Sequence, residues 1–310
     1  MHVLILGSGA GGGVPQWNCG CDGCRGARAG DSRIQSRTQS SIAVSADGHR
    51  WLLLNASPDV RVQLAAHPSL HPRGLRNPAV QAVALTNADI DHCLGLMVLR
   101  EGGAPPIYGT ARVQRALREG LRILPALEAY GAVHYREVRP DEEVVFADRH
   151  GVSLGISGRP FAVASKPPPY MLPLLGNAEA SDLLAGDTVG WVLRAGDGPR
   201  VVYVPGVKTL NARLRDEIAA SALTLIDGTF FTDDEMVTLG ASTKTSREMG
   251  HAPVGGDDGI VRFLASIDGP RRRLVHINNS NPMLWADSAE RRWVLEQGVE
   301  IGADGDHLEV

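Results

Sequence analysis

A buried strand that runs straight into a cluster of metal-binding side chains constrains this chain more than any other stretch. Val80-Gln-Ala-Val-Ala-Leu85 is a short apolar run with β-branched residues and reads as a buried strand. The next eight residues, Thr86-Asn-Ala-Asp-Ile-Asp-His-Cys93, deliver Asn87, Asp89, Asp91 and His92 together into the loop at its end. Two carboxylates and an imidazole offer the oxygen and nitrogen donors that a divalent ion takes. The plainer alternative is a polar loop in which Asp91 caps the following helix.

Cysteine usage points the same way. Three of the four cysteines stand in Cys19-Gly-Cys21-Asp-Gly-Cys24. Neighbours this close are poor disulfide partners in a chain of this size and read instead as metal ligands. A loop at 17–25 holding three thiolates suits a structural zinc, whose fourth ligand must come from elsewhere. Free thiols are the alternative. Gly7-Ser-Gly9-Ala-Gly-Gly12 formally matches a dinucleotide-binding glycine pattern after the first strand. Pro15, Trp17 and the cysteines follow where a helix would have to begin, so the glycines read as tight turns beside a site.

Around these motifs the chain alternates strands and helices. Gln39–Val44 and Trp51–Leu54 read as a hairpin about Asp47-Gly48, and Pro58 opens a helix. Leu94–Leu99 and Ala111–Leu124 read as helices, the second with Val113, Leu117 and Leu121 on one face. Lys166-Pro-Pro-Pro-Tyr170 reads as a rigid loop, either a plain connection or a lid. Ala222–Ile226 and Arg273–Ile277 are further core strands, ending near Asp227-Gly-Thr229 and at His276. No Pro/Gly linker divides the chain, which predicts one α/β domain over residues 1–310 with two stacked sheets and outer helices.

Composition bounds the partners. A net charge of −4 leaves no nucleic-acid footprint. No apolar run approaches the ~18 residues of a membrane span. The apolar opening Met1–Leu6 is too short for a signal peptide and lacks a basic leader. The expectation is a cytoplasmic protein, with a homodimer as its possible assembly.

Taken in order, several motifs resemble the coenzyme PQQ synthesis protein B family. They are the opening Gly-Ser-Gly-Ala-Gly-Gly-Gly-Val-Pro, the C-x-C-x-x-C loop, Asn55-Ala-Ser-Pro-Asp59, the T-x-A-D-x-D-H stretch, Arg247-Glu-Met-Gly-His251 and V-H-I-N-N-S-N-P. That family is similar to the metallo-β-lactamases, which implies an αββα four-layer sandwich. The superfamily's H-x-H-x-D-H motif stands here as Asn87-Ala-Asp89-Ile-Asp91-His92, so both leading histidines are replaced. The same alignment puts Ser165 near a further histidine and Gly206 near the metal-bridging Asp.

What survives is Asp91, His92 and His276, too few donors for the two metals of hydrolytic relatives, and ordinary hydrolysis is not expected. Two histidines and a carboxylate match the facial triad of non-haem Fe(II) oxygenases. The resemblance therefore implies Fe(II)- and O₂-dependent hydroxylation of the tyrosine ring of a Glu-Tyr precursor of pyrroloquinoline quinone. The substrate would be a small molecule or short peptide. Asp89 and His251 are the candidate catalytic residues. The alternatives are a carrier for finished PQQ that assists its export, or a metal-dependent hydrolase. In related phosphodiesterases the structural zinc takes a late histidine, at a place held here by Asn279, leaving His251 and His276 as alternatives.

Overall fold

Fourteen strands appear in the computed structural model, which describes residues 1–164, 167–175 and 186–310. The chain packs as two units. Unit 1 is Met1–Leu6, Ser41–Pro199 and Gly305–Val310, and unit 2 is Gly7–Ser40 and Arg200–Asp304.

Unit 1 carries β1 (His2–Gly7), β2 (Ser41–Ser45), β3 (Trp51–Leu54), β4 (Val80–Ala84), β5 (Ile107–Gly109), β6 (Tyr135–Glu137), β7 (Val144–Ala147), β8 (Ser153–Ala162), β9 (Val189–Ala195) and the last strand, β14 (His307–Glu309). One sheet runs in the order β14-β1-β2-β3-β4-β5-β6. β1 pairs antiparallel with β14, setting His2 opposite Glu309 and Leu4 opposite His307. The expected hairpin of β2 and β3 is present, and the Asp47 carboxylate closes its turn by accepting the His49 and Arg50 N–H groups. From β3 to β6 the pairing is parallel, while β7, β8 and β9 pair antiparallel. Leu53, Val83, Ile107, Leu117 and Leu124 share one apolar core over the first sheet.

Two expected helices take different forms. Ala111–Leu124 is broken into an α-helix at Ala111–Arg115, a π turn at Ala116–Gly120 and a second helix at Ile123–Glu128, with Arg122 left-handed at φ 60° between them. Gly120, a poor helix former, lies where the Tyr170 ring and the Met171 sulfur press in; an added Cβ would meet them at 2.6 and 2.7 Å. Apolar spacing survives the break, since Val113, Leu117, Leu124 and Leu127 are all buried. Leu94–Arg100 is a 3₁₀ helix rather than an α-helix. Its Gly95 donates to the Ala56 carbonyl at 2.9 Å, and the Ala56 N–H donates to the His92 carbonyl at 2.7 Å. This stitching ties Asn55-Ala-Ser57 to the stretch that carries His92.

Unit 2 is built on four parallel strands in the order β10 (Val201–Val204), β11 (Leu223–Asp227), β12 (Arg271–Val275) and β13 (Glu300–Ile301). Every residue of β10 and β11 is buried, so both strands read as near-continuous apolar runs. The polar groups gather beyond the carboxyl ends of β11 and β12, where Asp227 and His276 lie. Asp304 ties the early segment to the late one. Its carboxylate accepts from Ser8 N (2.8 Å), Ser8 Oγ (2.6 Å), Thr38 N (2.6 Å) and Thr38 Oγ1 (2.7 Å).

The stitched loop predicts the effect of a single methyl group. A Cβ on Gly95 would stand 2.1 Å from the Ser57 carbonyl oxygen. Gly95→Ala should therefore cost about 1–3 kcal/mol or more through forced backbone movement. An unchanged urea midpoint would show that the loop yields freely.

Candidate functional site

In unit 1 the strand-end loop is braced before it offers any donor. Asn55, held left-handed at φ 62°, accepts the Thr86 N–H at 2.9 Å and donates to the Thr86 hydroxyl at 3.0 Å. Asn87 performs the next step. Its amide oxygen lies 2.7 Å from His92 Nδ1 and accepts the Asp89 N–H at 3.1 Å, while its NH₂ donates to Asp89 Oδ2 at 2.8 Å. An amide oxygen only accepts, so His92 Nδ1 carries a proton and Nε2 is the nitrogen turned away from Asn87. That Nε2 is 3.7 Å from Asp91 Oδ2. Asp91 does not cap the following helix: Asp89 holds that position, and Asp91 lies within the Ile90–Cys93 turn. The Tyr170 hydroxyl of the Pro-rich segment donates to the Ala88 carbonyl, which places this segment against the loop. Ser165 and Lys166 lie outside the described residues.

In unit 2 a second set of donors surrounds Asp227, which is fully buried. Asp227 Oδ2 lies 2.7 Å from His251 Nδ1, and Oδ1 lies 2.5 Å from the Thr229 hydroxyl. That hydroxyl is 2.8 Å from His276 Nδ1. Burial opposes ionisation of Asp227, but His251, His276 and Thr229 outweigh it and hold the carboxyl below its ordinary range. The ionised carboxylate is the strongest acceptor present, so Thr229 donates to it and receives the His276 Nδ1 proton. Both histidines thus keep Nε2 for a metal or a proton, the arrangement that outer partners impose on metal-binding imidazoles. Their rings stack with centroids 5.4 Å apart. His276 is left-handed at φ 57°, an uncommon state for a side-chain-bearing residue. A Cβ on Gly206 would lie 3.7 Å from His251 Cε1, so His251 stands beside that glycine. The Gly9 turn bridges Gln39 and Ile277, directly after His276.

Sequence reasoning had no role for Asn87 as the His92 partner or for Asp227 as the His251 partner. The available signal was a carboxylate ending a largely apolar strand, where burial demands a partner.

Cys19, Cys21 and Cys24 sit together in unit 2, each offering a sulfur within 4.8 Å of the others. Cys21 caps a helix that spans Asp22–Ala29, so Cys24 lies on a helix rather than in a loop. Backbone N–H groups of Gln16 and Cys24 point at the sulfurs of Cys24 and Cys21. Burial and the neighbouring Cys21 push the Cys24 thiol up to about 11. A cation would turn the three adjacent thiols into thiolates by sharing them, and a three-sulfur set fits a zinc. Asn279 faces all three: its amide nitrogen is 3.1 Å from Cys19 Sγ, 3.3 Å from Cys24 Sγ and 3.6 Å from Cys21 Sγ. His251 and His276 are gathered about Asp227 instead.

Close by, Glu235 is buried and takes the Phe231 N–H at 2.6 Å and the Ser280 hydroxyl. Burial pushes its carboxyl up to about 7. No helix among the described residues is long and apolar enough to cross a membrane.

Residues 50–277 match the family model described as a beta-lactamase superfamily domain. Coenzyme PQQ synthesis protein B of Methylorubrum extorquens (strain PA1) is 43% identical, over 98% of both chains. The protein of that name from Methylococcus capsulatus is 40% identical, again over 98% of both. The crystal structure of Zn(2+)-bound PqqB from Methylobacterium extorquens covers both chains fully at TM-score 0.89 and 43% identity. A diphosphatase of the PhnP family, 19% identical at TM-score 0.67, covers 100% of this chain and 96% of its own and shares the fold. The fold is thus that of the metallo-β-lactamases, as the resemblance implied.

Two outcomes follow from these geometries. Long-range ¹H–¹⁵N spectra should show His92, His251 and His276 as Nδ1–H tautomers, and Thr229→Val should disturb His276 while leaving His92 unchanged; an Nε2–H tautomer for His92 would contradict the role of Asn87. For Glu235, a folded pKa of about 7 against 4.5 unfolded means its contribution to stability is present below pH 4.5 and lost as pH rises through 7. Glu235→Gln should therefore gain on the wild type by roughly 3 kcal/mol between pH 4.5 and pH 8 in urea unfolding. Parallel pH profiles would refute this.

Proposed function

Because the chain belongs to the coenzyme PQQ synthesis protein B family, we propose that it acts in pyrroloquinoline quinone biosynthesis as a metal-dependent hydroxylase of the tyrosine ring in a Glu-Tyr precursor. The observation that carries this reading is the state of His92. Asn87, standing where hydrolytic relatives place a metal-binding histidine, spends its side chain orienting His92 Nε2 beside Asp91. The loop therefore offers donors for one ion rather than two.

Asp91, His92 and His276 are the proposed ligands, a two-histidine, one-carboxylate set that suits Fe(II) and leaves positions open. Fe(II) held there would supply the activation of O₂ needed for ring hydroxylation, one oxygen atom entering the ring and the other leaving as water with two electrons from an external small-molecule reductant. The protein's own groups would do the remaining work. Asp89, fixed by Asn87, is placed to take the phenolic proton as the ring gains oxygen. His251, backed by Asp227, is the second acid–base group. Cys19, Cys21 and Cys24 are proposed to hold a structural zinc, with Asn279 as the fourth ligand; half a turn of its amide would present Oδ1 to the ion. The substrate is a small molecule or short peptide met in the cytoplasm.

The test is iron-loaded protein with a Glu-Tyr dipeptide and ascorbate under O₂, read as addition of oxygen by mass. His92→Ala and His276→Ala should each lose at least about a hundredfold in product, while keeping the fold and the cysteine-bound zinc. Wild-type rates in those variants would overturn the ligand assignment. Tight PQQ binding by a wild type that makes no oxygenated product would favour a carrier, and phosphodiester turnover lost in His92→Ala would favour a hydrolase.

A further inference from the structure

A cluster of metal-binding side chains lies in unit 1 outside the proposed centre, on the paired strands β1 and β14. His2 stands directly opposite Glu309, and His307, two residues before Glu309, projects from the same face. Each of the three offers one donor atom, and these atoms all lie within 4.8 Å of one another.

Four details point to a built site rather than a chance grouping. His2 Nδ1 is buried and finds no hydrogen-bond partner among the described residues. It faces Glu309 Oε1 at 3.4 Å. That separation is long for a charge-assisted hydrogen bond. It matches two corners of a tetrahedron of metal bonds of about 2.0–2.1 Å, whose edge is roughly 3.3–3.4 Å. The two imidazoles also lie together beside an indole. Their centroids are 5.4 Å apart, and the buried Trp51 ring lies 6.4 Å from that of His2 and 6.5 Å from that of the exposed His307.

We propose that His2, His307 and Glu309 form a surface site for a borderline divalent transition-metal ion, Zn²⁺ by preference, that clasps β14 to β1. Imidazole and carboxylate donors suit this class and not the hard ions, which take all-oxygen sets. Open water positions complete the coordination, since Glu309 is 76% exposed. An ion bound only by the folded pair stabilises it by mass action, so the site would hold the last strand against the sheet.

The experiment uses the tag-free full chain at pH near 8. Wild type, His307→Ala and Glu309→Gln are equilibrated at one free Zn²⁺ concentration, and bound zinc is counted by elemental analysis. Wild type should hold one equivalent more than His307→Ala, because the cysteine and His92 donors are unaltered in both. Its melting temperature should rise with added Zn²⁺ by more than that of either variant. Cu²⁺ is the second probe: it should quench Trp51 emission in wild type, and this quenching should be lost in His307→Ala and in a Trp51→Phe control. Circular dichroism in chelator checks that the variants fold. Equal zinc counts and equal melting shifts in wild type and both variants would overturn the site and leave His2 and Glu309 as an ordinary ion pair.

Discussion

The polar half of unit 2 depends on one carboxylate held away from water. A buried charge without partners costs several kcal/mol, and Asp227 meets that cost with four donors. The N–H groups of Val207 and Thr229, the Thr229 hydroxyl and the His251 ring all converge on it. It ends the second of four parallel strands, so the sheet fixes its position before any side chain turns. His251 takes its direction from this group, and His276 takes its own through Thr229. The strained backbone at His276 is tolerable because its ring and carbonyl are both within reach of that hydroxyl. Such strain persists only where the surroundings over-determine it.

Much of this frame was legible in the sequence because strand burial writes itself as composition. The runs at Val80–Leu85, Ala222–Ile226 and Arg273–Ile277 announced their strands, and the polar residues after them announced where the donors collect. The helical spacing at Ala111–Leu124 was read correctly as a buried face but not as a winding. Apolar period reports which side faces the core, whereas a π turn and a left-handed Arg122 answer to Tyr170 and Met171, about fifty residues away. Cys24 lies on a helix for a similar reason: the cap is the Cys21 sulfur, and thiols are not the usual capping groups.

The partners of the donors were hidden for a different reason. Nothing local marks Asn279 as the residue that faces the thiolates, because it stands 260 positions from Cys19 in sequence. Asn87 was visible only as a missing histidine. Its positive role, setting which nitrogen of His92 carries the proton, is a matter of angstroms rather than of residue type. A shared fold does not decide such matters, since function lives in the site and not in the scaffold.

The Asp304 carboxylate that grips Ser8 and Thr38 has a consequence for how the molecule is made. These partners are separated by 296 and 266 positions. During translation the glycine-rich turn and the segment around Arg37 leave the ribosome well before their anchor, which emerges 296 and 266 residues after Ser8 and Thr38. Contacts this distant must close a very long loop before they return any free energy. Unit 2 therefore has to be completed late, with its first segment waiting unpaired while the body of unit 1 is being produced. The interval is set by elongation rate, and a cell that slows its ribosomes lengthens the exposure of the cysteines before Asn279 arrives to face them.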